Sequence, residues 1–182
     1  MDKYQARERI RRAMENRKFM LDKSEYLQNE IDSDIKYYLY EDSNSKYSFS
    51  NWTLTEFDDG SFYLGIVQNG KREVVGCQYY KNGTIYIGGW YNDQYCHNGF
   101  YLSDKICYNG EFKYGKFNGS GTMAWRGFST QGDFKDDQIV KAYYPTSGFT
   151  YNGKHFDQDG NSGCASVIVL AIVMTAIGML AL

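Results

Sequence analysis

The sequence predicts a mainly β protein built from stacked β-hairpin repeats, with a charged helical segment before them and an apolar transmembrane helix after them. Three observations carry this prediction. Aromatic residues make up 18% of the chain and glycine occurs 19 times against a single proline, a mix that favours strands joined by tight turns. An aromatic-x-glycine motif returns at a nearly constant interval through residues 36–156. The chain then ends in a run without charge, Gly160–Leu182.

Residues 1–35 form the first segment. Ala6, Ile10, Ala13, Met20, Leu27 and Ile31 fall on a 4-3 spacing interrupted at Arg17 and Ser24, which predicts a broken amphipathic helix over 2–32. Asp22-Lys-Ser-Glu25 has the spacing of a capping box that restarts a second short helix. The basic groups crowd into the first half as Lys3, Arg7, Arg9, Arg11, Arg12, Arg17 and Lys18, while Asp22, Glu25, Glu30, Asp32 and Asp34 make the second half acidic. Two readings follow for Arg7, Arg9, Arg11, Arg12, Arg17 and Lys18. They contact an anionic lipid leaflet, or they are a solvated face that pairs with the acids between them.

Residues 36–156 hold the repeat. Tyr63-x-Gly65, Tyr86-x-Gly88, Tyr108-x-Gly110 and Tyr151-x-Gly153 align, and Gly132 with Thr130 in the aromatic column fills the gap. The intervals between these glycines are 23, 22, 22 and 21 residues. Two positions after each glycine stand Val67, Trp90, Phe112, Phe134 and His155; eleven after it, the first three units have Gly76, Gly99 and Gly121. The aromatic, the glycine and the next aromatic share one strand face, and the missing side chain leaves room for a ring to lie over the backbone. Asn69-Gly70, Asn92-Asp93, Tyr114-Gly115 and Asp136-Asp137 follow as hairpin tips, three of them with ordinary tight-turn chemistry. Residues 37–57 alternate as strands outside the period and read as a capping unit.

Tyr108-Asn-Gly-Glu-Phe-Lys-Tyr-Gly-Lys-Phe-Asn-Gly-Ser-Gly-Thr-Met123 closely resembles a MORN (membrane occupation and recognition nexus) repeat, and Tyr86-Ile-Gly-Gly-Trp90 with Gly99 resembles a more degenerate copy. The resemblance implies an elongated, twisted antiparallel sheet with scaffolding, membrane-associating and protein-binding roles. Its repeat-defining residues would be Tyr63, Gly65, Tyr86, Gly88, Trp90, Tyr108, Gly110, Phe112, Gly121, Gly132, Phe134, Tyr151 and Gly153. The second-strand pattern fails at Gly99-Phe-Tyr-Leu and at Ala142-Tyr-Tyr, so the limits of the ribbon are open.

Residues 157–163 read as a short linker and 164–182 as the transmembrane helix. At about 1.5 Å per residue that run spans about 28 Å, near the thickness of a bilayer's hydrocarbon layer. The charged N-terminus lacks the apolar stretch of a secretory signal, so the expected topology is single-pass with the N-terminal domain cytoplasmic. Cys77, Cys96, Cys107 and Cys164 show no CxxC spacing and are expected as reduced thiols; Cys164, at the head of the apolar run, is placed for reversible lipidation.

No chemistry is legible. His97 and His155 lie in different units and columns, no metal-ligand spacing surrounds either, and Asp58-Asp59 and Asp136-Asp137 sit at expected turns. No catalytic residue, metal or cofactor is expected. The formal charge of −2 gives no basis for nucleic-acid binding. The expected function is that of a non-catalytic, tail-anchored scaffold, with a membrane, an unidentified protein and, as an option, a second copy of the chain as partners. The competing expectation is a small membrane effector of signalling or defence type, whose repeat domain controls assembly of the terminal helix to perturb the bilayer.

Overall fold

The computed structural model describes residues 1–16, 39, 47–125 and 129–143 with their side chains, and the backbone of 128, 149–151, 154–156 and 162–164. Nine consecutive strands, β1 (Thr53–Glu56), β2 (Phe62–Gln68), β3 (Lys71–Tyr79), β4 (Ile85–Tyr91), β5 (Gln94–Leu102), β6 (Ile106–Lys113), β7 (Lys116–Trp125), β8 (Phe128–Lys135) and β9 (Gln138–Ala142), form one antiparallel sheet in sequence order. Every connection is therefore hairpin-like, as the repeat requires.

The two rims of this sheet differ for local reasons. Along one rim the hairpins β2–β3, β4–β5, β6–β7 and β8–β9 close through two residues, since Gln68 pairs with Lys71, Tyr91 with Gln94, Lys113 with Lys116 and Lys135 with Gln138. All eight tip residues have positive φ, the geometry that matches the twist of the flanking strands. Along the other rim the β1–β2, β3–β4 and β5–β6 turns are longer and held by side-chain caps. Asp59 Oδ1 accepts from the Ser61 N–H at 2.8 Å, Asn82 Oδ1 from the Thr84 N–H at 2.9 Å, and Ser103 Oγ from the Ile106 N–H at 2.9 Å.

Helix α1 (Lys3–Glu15) starts at a full capping box: Asp2 Oδ1 accepts from the Tyr4 and Gln5 N–H groups at 2.8 Å, and Gln5 Oε1 accepts from the Asp2 N–H at 3.0 Å. It buries Ala6, Ile10 and Met14. These pack with Leu39, Phe49 and Trp52 on the sheet face made by Phe62, Leu64, Ile66, Cys77, Ile85, Ile87, Phe100 and Leu102. Met14, outside the 4-3 stripe, takes the inward place at i+4 from Ile10. The expected stripe residues Met20, Leu27 and Ile31 and the Asp22–Glu25 box lie outside the described residues.

Two local expectations come out differently. Phe49–Asn51 is a short 3-10 turn, not a strand. Its ring and that of Trp52 meet at 5.6 Å, and the Trp52 indole donates to the Tyr47 carbonyl at 3.0 Å, so the capping unit works by covering the sheet face. At the C-terminal side, β10 (Phe149–Tyr151), β11 (Lys154–Phe156) and β12 (Ser162–Cys164) form a separate three-stranded sheet. Tyr151 pairs with Lys154; residues 152–153, with the aligned Gly153, lie outside the described residues. Ser162–Cys164 belongs to a strand, so the expected linker ends in paired backbone. No helix among the described residues is long and apolar enough to cross a membrane; residues 165–182 lie outside them.

Candidate interaction surface

The glycines of the repeat stand in one row across the sheet. Gly65 pairs with Gly76, Gly76 with Gly88, Gly88 with Gly99, Gly99 with Gly110, Gly110 with Gly121 and Gly121 with Gly132, and the row ends where Gly132 pairs with Ala142. Over this row lie the rings of Tyr63, Tyr86 and Tyr108, all at most 1% exposed. Each hydroxyl donates to the carbonyl three residues on: Tyr63 to Ile66 at 3.0 Å, Tyr86 to Gly89 at 2.7 Å and Tyr108 to Glu111 at 3.0 Å. In these three units the strand register shifts just after the anchor glycine. The tyrosine thus satisfies a carbonyl that the bulge takes out of the regular ladder.

The second aromatic of each unit links neighbouring tyrosines. Trp90 meets Tyr63 at 5.3 Å and Tyr86 at 5.2 Å, Phe112 meets Tyr86 at 5.0 Å and Tyr108 at 5.2 Å, and Phe134 meets Tyr108 at 4.9 Å, every pair edge-to-face. Such pairs contribute about 0.5–1.5 kcal/mol each beyond simple burial. Tyr95 and Phe117, which the repeat alignment did not single out, stack on Tyr86 at 3.7 Å and on Tyr108 at 4.1 Å. Both stand two residues past a hairpin tip, which is the positional signal that identifies them. Burial pushes the Tyr63, Tyr95 and Tyr108 hydroxyls well above the usual phenol range. These rings are a packed interior with no opening for a substrate.

Successive tips are tied together by a contact that recurs about every 20 residues in sequence. The second tip residue donates its N–H to the strand before it: Asp93 to the Arg72 carbonyl at 3.2 Å, Gly115 to Tyr95 at 3.0 Å and Asp137 to Phe117 at 3.1 Å. Where that residue is aspartate the side chain answers, accepting from the Arg72 N–H at 3.0 Å and from the Phe117 N–H at 2.8 Å. The two aspartates titrate in opposite directions. The Arg72 N–H holds the Asp93 carboxyl below the usual range, so its contribution is present above the unfolded value, about 3.9, and lost as pH falls through the folded one. Burial raises Asp137, so its contribution is fully present below that unfolded value and lost as pH rises through the folded one. Asp137→Asn keeps the acceptor for Phe117 without a buried charge. It should melt higher than the parent at neutral pH, by at most about 1 kcal/mol given partial screening, and the difference should vanish near pH 4. Parallel thermal melts across pH check this.

The basic residues of α1 are engaged within the molecule. Arg11 pairs with Glu8 at 2.6 Å and with Glu15 at 2.5 Å, and Arg12 pairs with Glu8 at 2.8 Å; these hydrogen bonds, with Arg11 first, hold the Glu8 carboxyl down at about 2. The Arg7 guanidinium lies 4.5 Å over the Phe49 ring and donates to the Leu39 carbonyl at 3.2 Å, and Arg9 lies 4.6 Å over Tyr79. Arg12 is 71% exposed, and Arg9 is exposed as well. Arg17, Lys18 and Gly153 lie outside the described residues, while Tyr151 and Cys164 are placed by their backbone in β10 and β12.

His97 sits at φ +55° with its Nδ1 3.0 Å from the Cys96 sulfur. Burial pushes the Cys96 thiol up, away from a reactive thiolate. Cys77 and Cys107 are buried thiols outside any disulfide, in the core under α1. No group of three potential metal ligands occurs among the described residues. A shallow, wide-open depression of about 640 Å³ beside α1 is lined by Asp2, Glu8, Arg9, Arg12 and Tyr79, but its acids are already engaged, Asp2 in the helix cap and Glu8 with Arg11 and Arg12. What the fold offers to other molecules is its rims and its outer surface. No family model matches the chain, and no curated protein matches it.

Proposed function

We propose that this chain is a non-catalytic, tail-anchored membrane protein whose MORN-like ribbon is a protein-binding scaffold at a membrane surface. The observation that supports this best is the threefold recurrence of one packing module, Tyr63–Gly65–Gly76, Tyr86–Gly88–Gly99 and Tyr108–Gly110–Gly121, in a single sheet. The module consumes its aromatic residues in holding hairpin to hairpin, and repeat sheets of this kind present extended surfaces to partners. The sequence resemblance at Tyr108–Met123 points the same way. The membrane part of the reading rests on the uncharged, apolar composition of residues 164–182.

The test compares the full chain with one ending at Cys164, which keeps β12 intact. The full chain should partition with membranes, the shortened one should remain in the soluble fraction, and neither should release dye from liposomes. Equal partition of both chains would remove the anchor from the reading. Dye release that requires residues 165–182 would replace the scaffold with the membrane effector.

A further inference from the structure

We infer that the third hairpin tip, Lys113–Tyr114–Gly115–Lys116, is the contact point for an acidic segment of a protein partner. This rests on the protein-binding reading above and adds to it a place and a chemistry.

The first residue of every tip adopts a left-handed backbone, φ +50° at Asn69, +51° at Asn92, +52° at Tyr114 and +51° at Asp136. Asn and Asp tolerate that conformation through their short polar side chains, but a tyrosine pays for it in steric strain. In return its ring gains the Lys113 ammonium, 5.4 Å from the ring centroid, and little burial. At 74% exposure it is the most exposed large apolar side chain among the described residues. The flanking lysines repeat the pattern. Lys113 and Lys116 are directly opposed across the strands, and like charges so placed destabilise a hairpin. Neither forms an ion pair among the described residues, whereas at the first tip Arg72 is paired with Asp93. Three unfavourable choices thus fall within four residues for one exposed cation–π contact, and strain with so small a structural return marks a site used for something other than folding.

The surroundings define the partner. Tyr91, 67% exposed, is paired with Gln94 on the strand next to β6, which puts it about 10 Å from Tyr114, two strand spacings away. Exposed tyrosines are anchors that protein interfaces use; Lys116 already acts on the Asp137 carboxyl, and a partner's carboxylates would further relieve the Lys113–Lys116 repulsion. Adsorption to a bilayer draws instead on a broad apolar face, which a Lys-Tyr-Gly-Lys tip does not offer.

The test pans a phage library of random dodecapeptides against the immobilised full chain, then measures the recovered peptides by fluorescence anisotropy at low and high salt. Recovered peptides should be rich in Asp and Glu. Their affinity should fall at least about tenfold with Tyr114→Asn, with Lys113→Gln/Lys116→Gln, and with added salt. Tyr114→Asn should itself melt about 2–4 °C higher, because asparagine suits the turn, so lost binding would not reflect unfolding. A lower melting point would show that Tyr114 holds the fold and would overturn the premise. Peptides that bind regardless of all three substitutions would overturn the tip and leave the protein-binding reading intact. An empty selection would overturn both. Binding of the chain to phosphatidylserine–phosphatidylcholine vesicles that the same substitutions abolish would overturn the protein partner in favour of lipid.

Discussion

Gly121→Ala should destabilise the protein by about 3 kcal/mol but add little further cost once Tyr108 is already alanine, whereas Gly110→Ala should be about equally damaging in either background. The two glycines face each other in the row but are glycines for different reasons. A Cβ on Gly121 would stand 2.5 Å from the Tyr108 hydroxyl oxygen and 2.6 Å from two of its ring carbons, so its obstacle is one side chain. A Cβ on Gly110 would stand 2.5 Å from the Gly121 Cα and 2.6 Å from the Ser120 carbonyl oxygen, with the Tyr108 hydroxyl next at 2.7 Å, an obstacle made first of backbone that removing the ring does not clear. Overpacking a tight site costs about 1–3 kcal/mol, and displacing the ring also breaks its bond to the Glu111 carbonyl. Tyr108→Ala alone costs about 3–5 kcal/mol in lost packing. Combined with Gly121→Ala it should fall short of additivity by about 2–3 kcal/mol, and combined with Gly110→Ala it should add. Denaturant unfolding of the five variants gives both cycles. Additivity in both would show that the rings do not set the second-strand glycines.

The distinction between these glycines marks the boundary of what could be read from residues alone. The period was legible because each strand needs a glycine at the same place, and the tips because left-handed turns accept few residue types. The anchor column Gly65, Gly88, Gly110 and Gly132 survives in all four units, since there the neighbouring backbone fills the space that a side chain would need. The facing column Gly76, Gly99 and Gly121 answers to a tyrosine on the partner strand, so its rule appears only once the register is known. The same holds for the tip contacts. Asp93 and Asp137 looked like turn residues, and they are, but their second role depends on Arg72 and Phe117 some 20 residues earlier. For α1 the basic residues were visible as a charge cluster. Their pairing with Glu8 and Glu15 follows from helical spacing, while the stacking of Arg7 and Arg9 on Phe49 and Tyr79 required the sheet beneath the helix.

The fourth unit supplies a natural version of the first experiment, and it makes the second prediction. Thr130 stands where the other units have tyrosine, and Ala142 stands where they have the facing glycine. The anchor Gly132 is kept, and a Cβ there would run into the Lys141 carbonyl, not into a ring. Ring and methyl are therefore alternatives: without the tyrosine the alanine fits, and Ala142 is buried at 2% exposure. Thr130→Tyr alone should cost about 3 kcal/mol, because the new ring would be driven onto the Ala142 methyl. Thr130→Tyr with Ala142→Gly should recover at least about 2 kcal/mol of that. The added hydroxyl would fall within reach of the Asp133 carbonyl, three residues on, beside the register shift between Asp133 and Phe134, where the other tyrosines find their acceptor. Ala142→Gly alone should be mildly destabilising, by about 1 kcal/mol, since it removes a buried methyl and loosens a strand. The sign of the interaction between the two sites decides the matter. A double variant as unstable as the sum of its parts would mean that the tyrosine–glycine pairing is incidental, and a restored one would mean that the module can be extended along the sheet.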